Sequence, residues 1–395
     1  MIMAPKKNYT LLLIVVAQFA GTSLWFAGNA ILPDLIIIYH WPPASLAWMS
    51  SAVQAGFILG TLLYAFLNIA DRFSPSKVFL TSAIIAAFSN LAIVFFPSGL
   101  TPVLVFRFFT GFFLAGIYPV GMKIAADYYK KGLGLALGFL VGALVVGTAF
   151  PQLLRGLGQS FPWQYVLWGT SALSIVGAVL LNLFVGDGPN RVVSNTFNPA
   201  GLFSIFKNKK FRAVSFAYFG HMWELYAFWA FLPFLFSTYF DFHSSVSGNA
   251  ALLSFSVIAI GGPACVIGAY FSKRLNLKKV AFIALSISGL CCLFSPIAFS
   301  LPFPLFLSFL LIWGMAVVAD SPLFSTLIAN NASRSLKATA LSIVNSIGFA
   351  ITIVSIQLLN SLSHLVSGQW IFMLLAIGPA LGLWAIRPSA KEPTH

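Results

Sequence analysis

Four ionisable residues stand inside long apolar runs of this 395-residue chain: Arg107, His221, Glu224 and Asp320. A charged group in such surroundings is expensive, so each is a functional hypothesis by default. His221 and Glu224 lie three residues apart in GHMWELYAFWAFLP (220–233). On a helix they share one face with Phe228, and Trp229 borders it. A carboxyl kept from water binds its proton more tightly, and a histidine one turn away titrates nearby. Such a pair can take up a proton on one side of a barrier and release it on the other. The competing reading is a polar lock, with Glu224 bonded to a Ser, Asn or Tyr of a neighbouring helix. Arg107 offers other chemistry, because a guanidinium grips a carboxylate or phosphate through two parallel N–H donors. A purely structural arginine is the alternative. If both chemistries operate, solute and Glu224 compete for Arg107, which couples proton to solute. Asp320, in ADSPLF, is expected to face Lys123 at similar depth and to gate the path together with Asp71 and Arg72.

Neutral side chains complete the candidate solute site: Trp25, Tyr118, Tyr226 and Trp229 as aromatic walls, and Gln18, Asn29, Asn345 and Gln357 as hydrogen-bonding groups. Asp34, beside Pro33, reads as an interfacial charge. No phosphate-binding Gly-Lys-Ser/Thr loop and no H-E-x-x-H motif occurs. Cys265, Cys291 and Cys292 lack metal-ligand spacing, and the five histidines are scattered. The expectation is therefore no metal, no cofactor and no enzymatic activity.

These residues need a frame, and composition supplies it. Hydrophobic residues make up 59% of the chain and charged residues 8%, against roughly 25% charged in soluble domains. A membrane span takes about 20 mostly apolar residues. Twelve candidates run over Thr10–Leu32, Ser45–Ala70, Val78–Phe96, Pro102–Ala126, Leu133–Leu154, Tyr165–Val185, Phe211–Ser237, Gly248–Phe271, Val280–Ser300, Pro304–Ile328, Ala338–Leu359 and Trp370–Ile386. The net charge of +14 does not point to nucleic acid. With an inside N-terminus, all the lysines and arginines except Arg107 and Arg155 fall on the cytoplasmic side, as the positive-inside rule asks. Both termini are then cytoplasmic, and contact with anionic lipid accounts for the basic surface.

The longest polar stretch, GDGPNRVVSNTFNPAGLFSIFKNKK (186–210), divides the chain nearly in half. Shifted by 200 residues, QFAGTSLWFAGNAILPDL (18–35) lies over YFGHMWELYAFWAFLPFL (218–235), with Phe19, Ala27, Ala30, Leu32, Pro33 and Leu35 identical. Shifted by 203, Gly111 meets Gly314 and Pro119 meets Pro322. Both prolines are expected to kink their helices. The pattern predicts an all-α integral membrane protein of twelve transmembrane helices. They form two pseudo-symmetric six-helix bundles, 1–187 and 211–395, joined by a cytoplasmic linker, 188–210.

The turn NIADRFSPSK (68–77) keeps Asp71, Arg72 and Lys77 of the loop pattern G-x-L-x-D-R-x-G-R-K, with Leu67 and Ser74 where the pattern has glycines. RFFTG (107–111) fits Arg-x-x-x-Gly in the fourth span. In these motifs, the repeat and the span count, the whole chain resembles the major facilitator superfamily. The stretch 119–154, with Gly134, Gly138 and Gly142 on one helix face, resembles a bacterial branch grouped with nitrate and cyanate porters. The resemblance implies a monomeric secondary transporter of the bacterial inner membrane, working by alternating access on a small solute and protons. Arg107 and Lys123 favour an anionic or zwitterionic organic solute. Gly142-Ala143 stands where many drug/proton antiporters carry Gly-Pro, so uptake is preferred. The alternative is a proton-driven exporter of drugs or metabolites such as siderophores. A nitrate or nitrite porter would need arginines in the second and eighth spans, and neither has one.

Overall fold

The computed structural model describes residues 7–96, 98–129, 131–158, 160–191, 205–332 and 337–387. All regular structure among them is helical. Twelve segments are long and apolar enough to cross a membrane: spans 1 to 12 are Tyr9–Tyr39, Ser45–Phe66, Pro75–Phe95, Leu100–Tyr128, Leu133–Leu157, Gln164–Phe184, Lys209–Phe242, Ala250–Phe271, Leu277–Ala298, Phe303–Asn331, Thr339–Ser363 and Gly368–Ile386. Each overlaps the span expected from hydropathy. Span 1 runs seven residues past Leu32 because Asp34 is neutralised there: its Oδ1 lies 2.7 Å from Arg155 Nη2 of span 5. Most of the linker, and with it Lys6, Lys130, Arg334 and Lys391, lies outside the described residues.

Helix starts follow capping chemistry. Asn208, Asn249 and Asn276 each accept backbone N–H bonds at the heads of spans 7, 8 and 9, and Ser74 does so for span 3. These caps satisfy donors that have no partner within the helix. Breaks follow proline. Span 4 is interrupted at 115–117, just before Pro119, and span 10 at Asp320, two residues before Pro322. A proline removes an N–H and crowds the preceding turn. Span 1 breaks over 23–26 without a proline there.

Glycines set how closely spans approach. A Cβ on Gly56 would collide with the Phe108 carbonyl, and one on Gly111 with that of Val53, so spans 2 and 4 meet backbone to backbone. Spans 5 and 8 do the same: a Cβ on Gly142 would lie 2.7 Å from Gly262 O, and one on Gly138 2.7 Å from Ala269 Cβ. Gly134, expected in the same stripe, meets nothing. Small residues are how helices pack in lipid, where the hydrophobic drive between helices is absent.

Spans 5 and 8, and spans 2 and 11, join the two halves of the sequence. Hydrogen bonds across these seams run from Asn249 Nδ2 to Gly156 O (2.8 Å), from Gln357 Nε2 to Ser51 Oγ (2.8 Å) and from Thr352 Oγ1 to Gln54 Oε1. By chain direction they sit toward the end of the bundle that carries Asp34.

Candidate functional site

Span 7 turns its His221–Glu224 face toward spans 9 and 10. Glu224 has no exposed surface. Its Oε1 accepts from Trp313 Nε1 (2.7 Å) and Cys292 Sγ (3.2 Å), and its Oε2 accepts from Ser288 Oγ (3.0 Å). Phe228, one turn on, stacks on Trp313 at 4.3 Å and holds that indole in place. Three donors meet the carboxyl, and no cation does among the described residues. The site accommodates a carboxylate through those donors. It also accommodates the neutral acid, since the Ser288 hydroxyl can accept as well as donate.

One turn back, His221 is 1% exposed and its Nδ1 lies 2.8 Å from Asp320 Oδ1. That approach is off the hydrogen-bond direction, and neither Asp320 oxygen has an aligned donor. The other ring nitrogen, Nε2, is 2.7 Å from Ser321 Oγ. Both Asp320 and Ser321 are delivered by the break in span 10. Asp320 is fully buried with one imidazole beside it. A dehydrated carboxylate must be paired or neutral, so the pair exists either as carboxylate with imidazolium or as acid with imidazole.

This pairing corrects the expectation that Asp320 faces Lys123. Lys123 Nζ instead lies 2.8 Å from Asp71 Oδ1 and 3.6 Å from Asp127 Oδ2. The break at Asp320 turns that residue inward onto span 7, whereas Lys123 lies on the flank of span 4 next to the turn between spans 2 and 3. Arg191 extends the Lys123 cluster by donating to Asp187 and to the carbonyls of Phe73 and Asp71. Arg72 is exposed.

Arg107 is also placed differently from the expectation that it meets Glu224. It is fully buried and faces the break in span 1. Nη1 donates to Leu24 O (3.1 Å) and Asn90 Oδ1 (3.3 Å), and Nη2 donates to Trp25 O. Unwinding at 23–26 leaves Leu24 O a 3.4 Å bond from the Ala27 N–H, and the guanidinium adds donors to it and to Trp25 O. Glu224 is bound by spans 9 and 10, so the two groups share no partner. Among the described residues no acid pairs with Arg107, and its charge stands behind Trp25 uncompensated.

The other candidates fall into two sets. Trp25 and Tyr226 enter one aromatic cluster with Phe57 and Phe349, and Trp229 packs on Tyr226 at 5.3 Å. Gln18 and Asn29 are buried on span 1, and Asn29 Nδ2 donates to Ser50 Oγ at 2.7 Å. Gln357 ties spans 11 and 2 together. Tyr118 and Asn345 are partly buried.

Several buried polar atoms have no partner: both ends of the Gln18 amide, Trp25 Nε1, Asn29 Oδ1, Gln54 Nε2, Thr148 Oγ1 and Trp229 Nε1. They come from spans 1, 2, 5 and 7, and buried polar groups are otherwise nearly always satisfied. Gln54, Thr148, Phe57, Phe349 and Trp313 escaped the sequence reading. The two polar ones carried a legible signal, a lone polar residue in an apolar run. The aromatic ones, among 41 Phe and 10 Trp, carried none. A surface pocket of about 280 Å³ lined by Leu154, Leu157, Phe161 and Tyr165 contains none of these groups.

Comparison with known proteins gives the frame a family. The model described as Major Facilitator Superfamily matches residues 13–356. The niacin transporter NiaP of Acinetobacter baylyi (strain ATCC 33305 / BD413 / ADP1) is 29% identical over 160 residues, which cover 35% of this chain and 36% of that protein. The match thus spans about a third of that relative's length. Among solved structures, a bacterial homologue of the human lysosomal transporter Spinster, inward-facing and unoccupied, superposes with a TM-score of 0.74. It is 16% identical, with 98% of each chain covered. The human organic anion transporter MFSD10 (TETRAN) superposes with a TM-score of 0.73 at 16% identity, over 97% of this chain and 100% of that one. At such identities the likeness is one of fold.

Proposed function

Since the chain belongs to the major facilitator superfamily, we propose that this multi-pass membrane protein is a proton-coupled secondary transporter of a small anionic or zwitterionic organic solute. It works by alternating access, as a monomer in a bacterial inner membrane, in the direction of uptake. Its two six-helix halves, 1–187 and 211–395, rock about the seams of spans 2 with 11 and 5 with 8. The proton is assigned to span 7 and the solute to the unpaired polar atoms between the halves.

The observation that carries this reading is the pair of fully buried acids held against one face of span 7. Glu224 and Asp320 both lack exposed surface, and among the described residues neither touches an arginine or lysine. A structural lock needs no ionisable group, whereas a proton carrier needs one whose charged and neutral forms both fit. Arg107 supports an anionic solute through its uncompensated charge. Lys123 no longer counts toward that charge, because Asp71 and Asp127 hold it. A relative named for niacin transport agrees with a small organic solute.

The test is flux into proteoliposomes under an imposed pH gradient. Gradient-driven accumulation that collapses on adding a protonophore supports the reading. Accumulation indifferent to the gradient, or flux driven only outward, would replace it with a uniporter or an exporter.

A further inference from the structure

Resting on the transporter reading, we infer that the solute is a flat aromatic carboxylate, bound where the aromatic rings of the two halves meet. The walls come equally from both halves. Trp25 (span 1) and Phe57 (span 2) face Tyr226 (span 7) and Phe349 (span 11). The Trp25 indole lies 5.4 Å from Phe349 at an interplanar angle of 29° and 5.7 Å from Tyr226 at 32°. Phe57 closes on Trp25 at 4.7 Å and on Phe349 at 4.6 Å. Rocking of the halves pulls these rings apart, and a flat ring entering the gap restores stacking on both sides. A saturated ring of the same size lacks the two flat faces and the quadrupole that offset stacking uses.

Three of the unpartnered polar atoms bordering this cluster are donors, against one acceptor, Asn29 Oδ1. Trp25 Nε1, Trp229 Nε1 and Gln54 Nε2 are all unpartnered, on side chains no more than 1% exposed. The amide of Gln54 is oriented by Thr352, which donates to its oxygen and leaves the NH₂ free. Gln54 and Thr352 each stand one helical turn from a ring of the cluster, Phe57 and Phe349 respectively. Trp229 touches the cluster through Tyr226. A buried donor left unmade is costly, and a carboxylate is the acceptor that repays several donors at once. The countercharge stands directly behind: Arg107 binds the Trp25 carbonyl and has no acid of its own among the described residues. A neutral acceptor can meet the donors but leaves that charge uncompensated, and a cation meets neither.

The experiment is calorimetric titration of the purified full chain with benzoate, pyridine-3-carboxylate and indole-3-acetate. Cyclohexanecarboxylate and benzamide serve as the matched non-planar and uncharged probes. At least one aromatic acid should bind, with each matched probe about tenfold weaker or more, the scale of a lost stack or a lost charged hydrogen bond. Trp229→Phe keeps an aromatic ring and removes the donor, and it should weaken the aromatic acid about tenfold and benzamide by less. Trp25→Leu should weaken aromatic acids more than cyclohexanecarboxylate. Cyclohexanecarboxylate binding as tightly as the aromatic acids, or no aromatic acid binding to monodisperse protein, overturns the inference. If the folded protein instead binds and accumulates an aliphatic anion, the substrate class fails while the transporter reading stands. If no solute of any class moves under a pH gradient, that reading fails as well.

Discussion

Replacing Glu224 separates a proton carrier from a structural lock, because the three donors around it differ in what they lose. In Glu224→Gln the amide oxygen can still accept from Trp313 Nε1 and Cys292 Sγ, and the new NH₂ meets Ser288 Oγ, which can turn to accept. No donor is orphaned, so the stability cost is about 1 kcal/mol or less. In Glu224→Leu the losses are unequal. Ser288 retains its bond to Leu285 O at 3.2 Å, and a thiol is a weak donor. The Trp313 indole N–H, bonded at 2.7 Å, is left alone in the bundle at a cost of about 1–3 kcal/mol. Trp313→Phe preserves the stack on Phe228 and removes that N–H. A double-mutant cycle should therefore return a Glu224–Trp313 coupling of about 1–2 kcal/mol, near the upper end for polar pairs in membranes. Unfolding in mixed micelles measures the cycle, and paired flux assays measure the function. For Glu224→Gln, gradient-driven accumulation should fall to that of empty vesicles, while solute exchange, which moves no net proton, persists. Intact accumulation would refute the proton assignment. Loss of exchange and stability together would identify Glu224 as a lock.

Three further outcomes follow from the geometry. His221→Ala leaves Asp320 buried without its imidazole and should destabilise the protein by about 3–5 kcal/mol. Adding Asp320→Asn should recover much of that loss, and unfolding of the single and double variants reads it. The Asp71–Lys123 pair is partly exposed, with side chains 26% and 22% accessible, so its double-mutant coupling should stay below about 1 kcal/mol and shrink with salt. Asn249→Asp still accepts from the N–H groups of Ala251 and Leu252 and keeps the helix cap, but it cannot donate to Gly156 O. Stability should then hold within about 1 kcal/mol, while a cysteine placed at buried Gln152 of span 5 alkylates faster because the Asp34 end opens more often.

Span positions, the kinks at Pro119 and Pro322, and the shared face of His221 and Glu224 could be read from the sequence, because each is a local property of one helix. Hydropathy fixes a span, proline marks where one can break, and a three-residue spacing fixes a face. What could not be read is which neighbour that face meets. Depth alone pairs Asp320 with Lys123, yet depth leaves the direction around the helix free, and the break at 320 turns the carboxyl onto His221. Nothing in GTSLWFAG, which contains no proline, announces that span 1 unwinds and that Arg107 binds its carbonyls. Trp313 was invisible for a simpler reason: its role depends on one indole nitrogen meeting a carboxylate 89 positions away.

The internal overlay gives the asymmetry a physical form. Leu24 and Glu224 occupy equivalent places 200 residues apart, and each supplies an oxygen that needs donors. In the first half it is the Leu24 main-chain carbonyl, left by the break with a 3.4 Å bond from Ala27 N–H and held by Arg107 of span 4. In the second half span 7 continues as one helix, Lys209–Phe242, whose proline is at 233, so the carbonyl at 224 keeps its helical donor, and the oxygen in need is the side chain's, held by Trp313 of span 10. Arg107 overlays Leu310, one turn before Trp313. A guanidinium facing Glu224 would fix it as a permanent carboxylate in a salt bridge, whereas a neutral indole N–H serves both of its protonation states. One fold thus places a cation in the half proposed to attract the anionic solute, and in the other half two buried acids proposed to carry the proton, Asp320 beside His221 and Glu224 among neutral donors. In the proposed transporter this division keeps the charge that meets the solute and the group that takes the proton on separate halves.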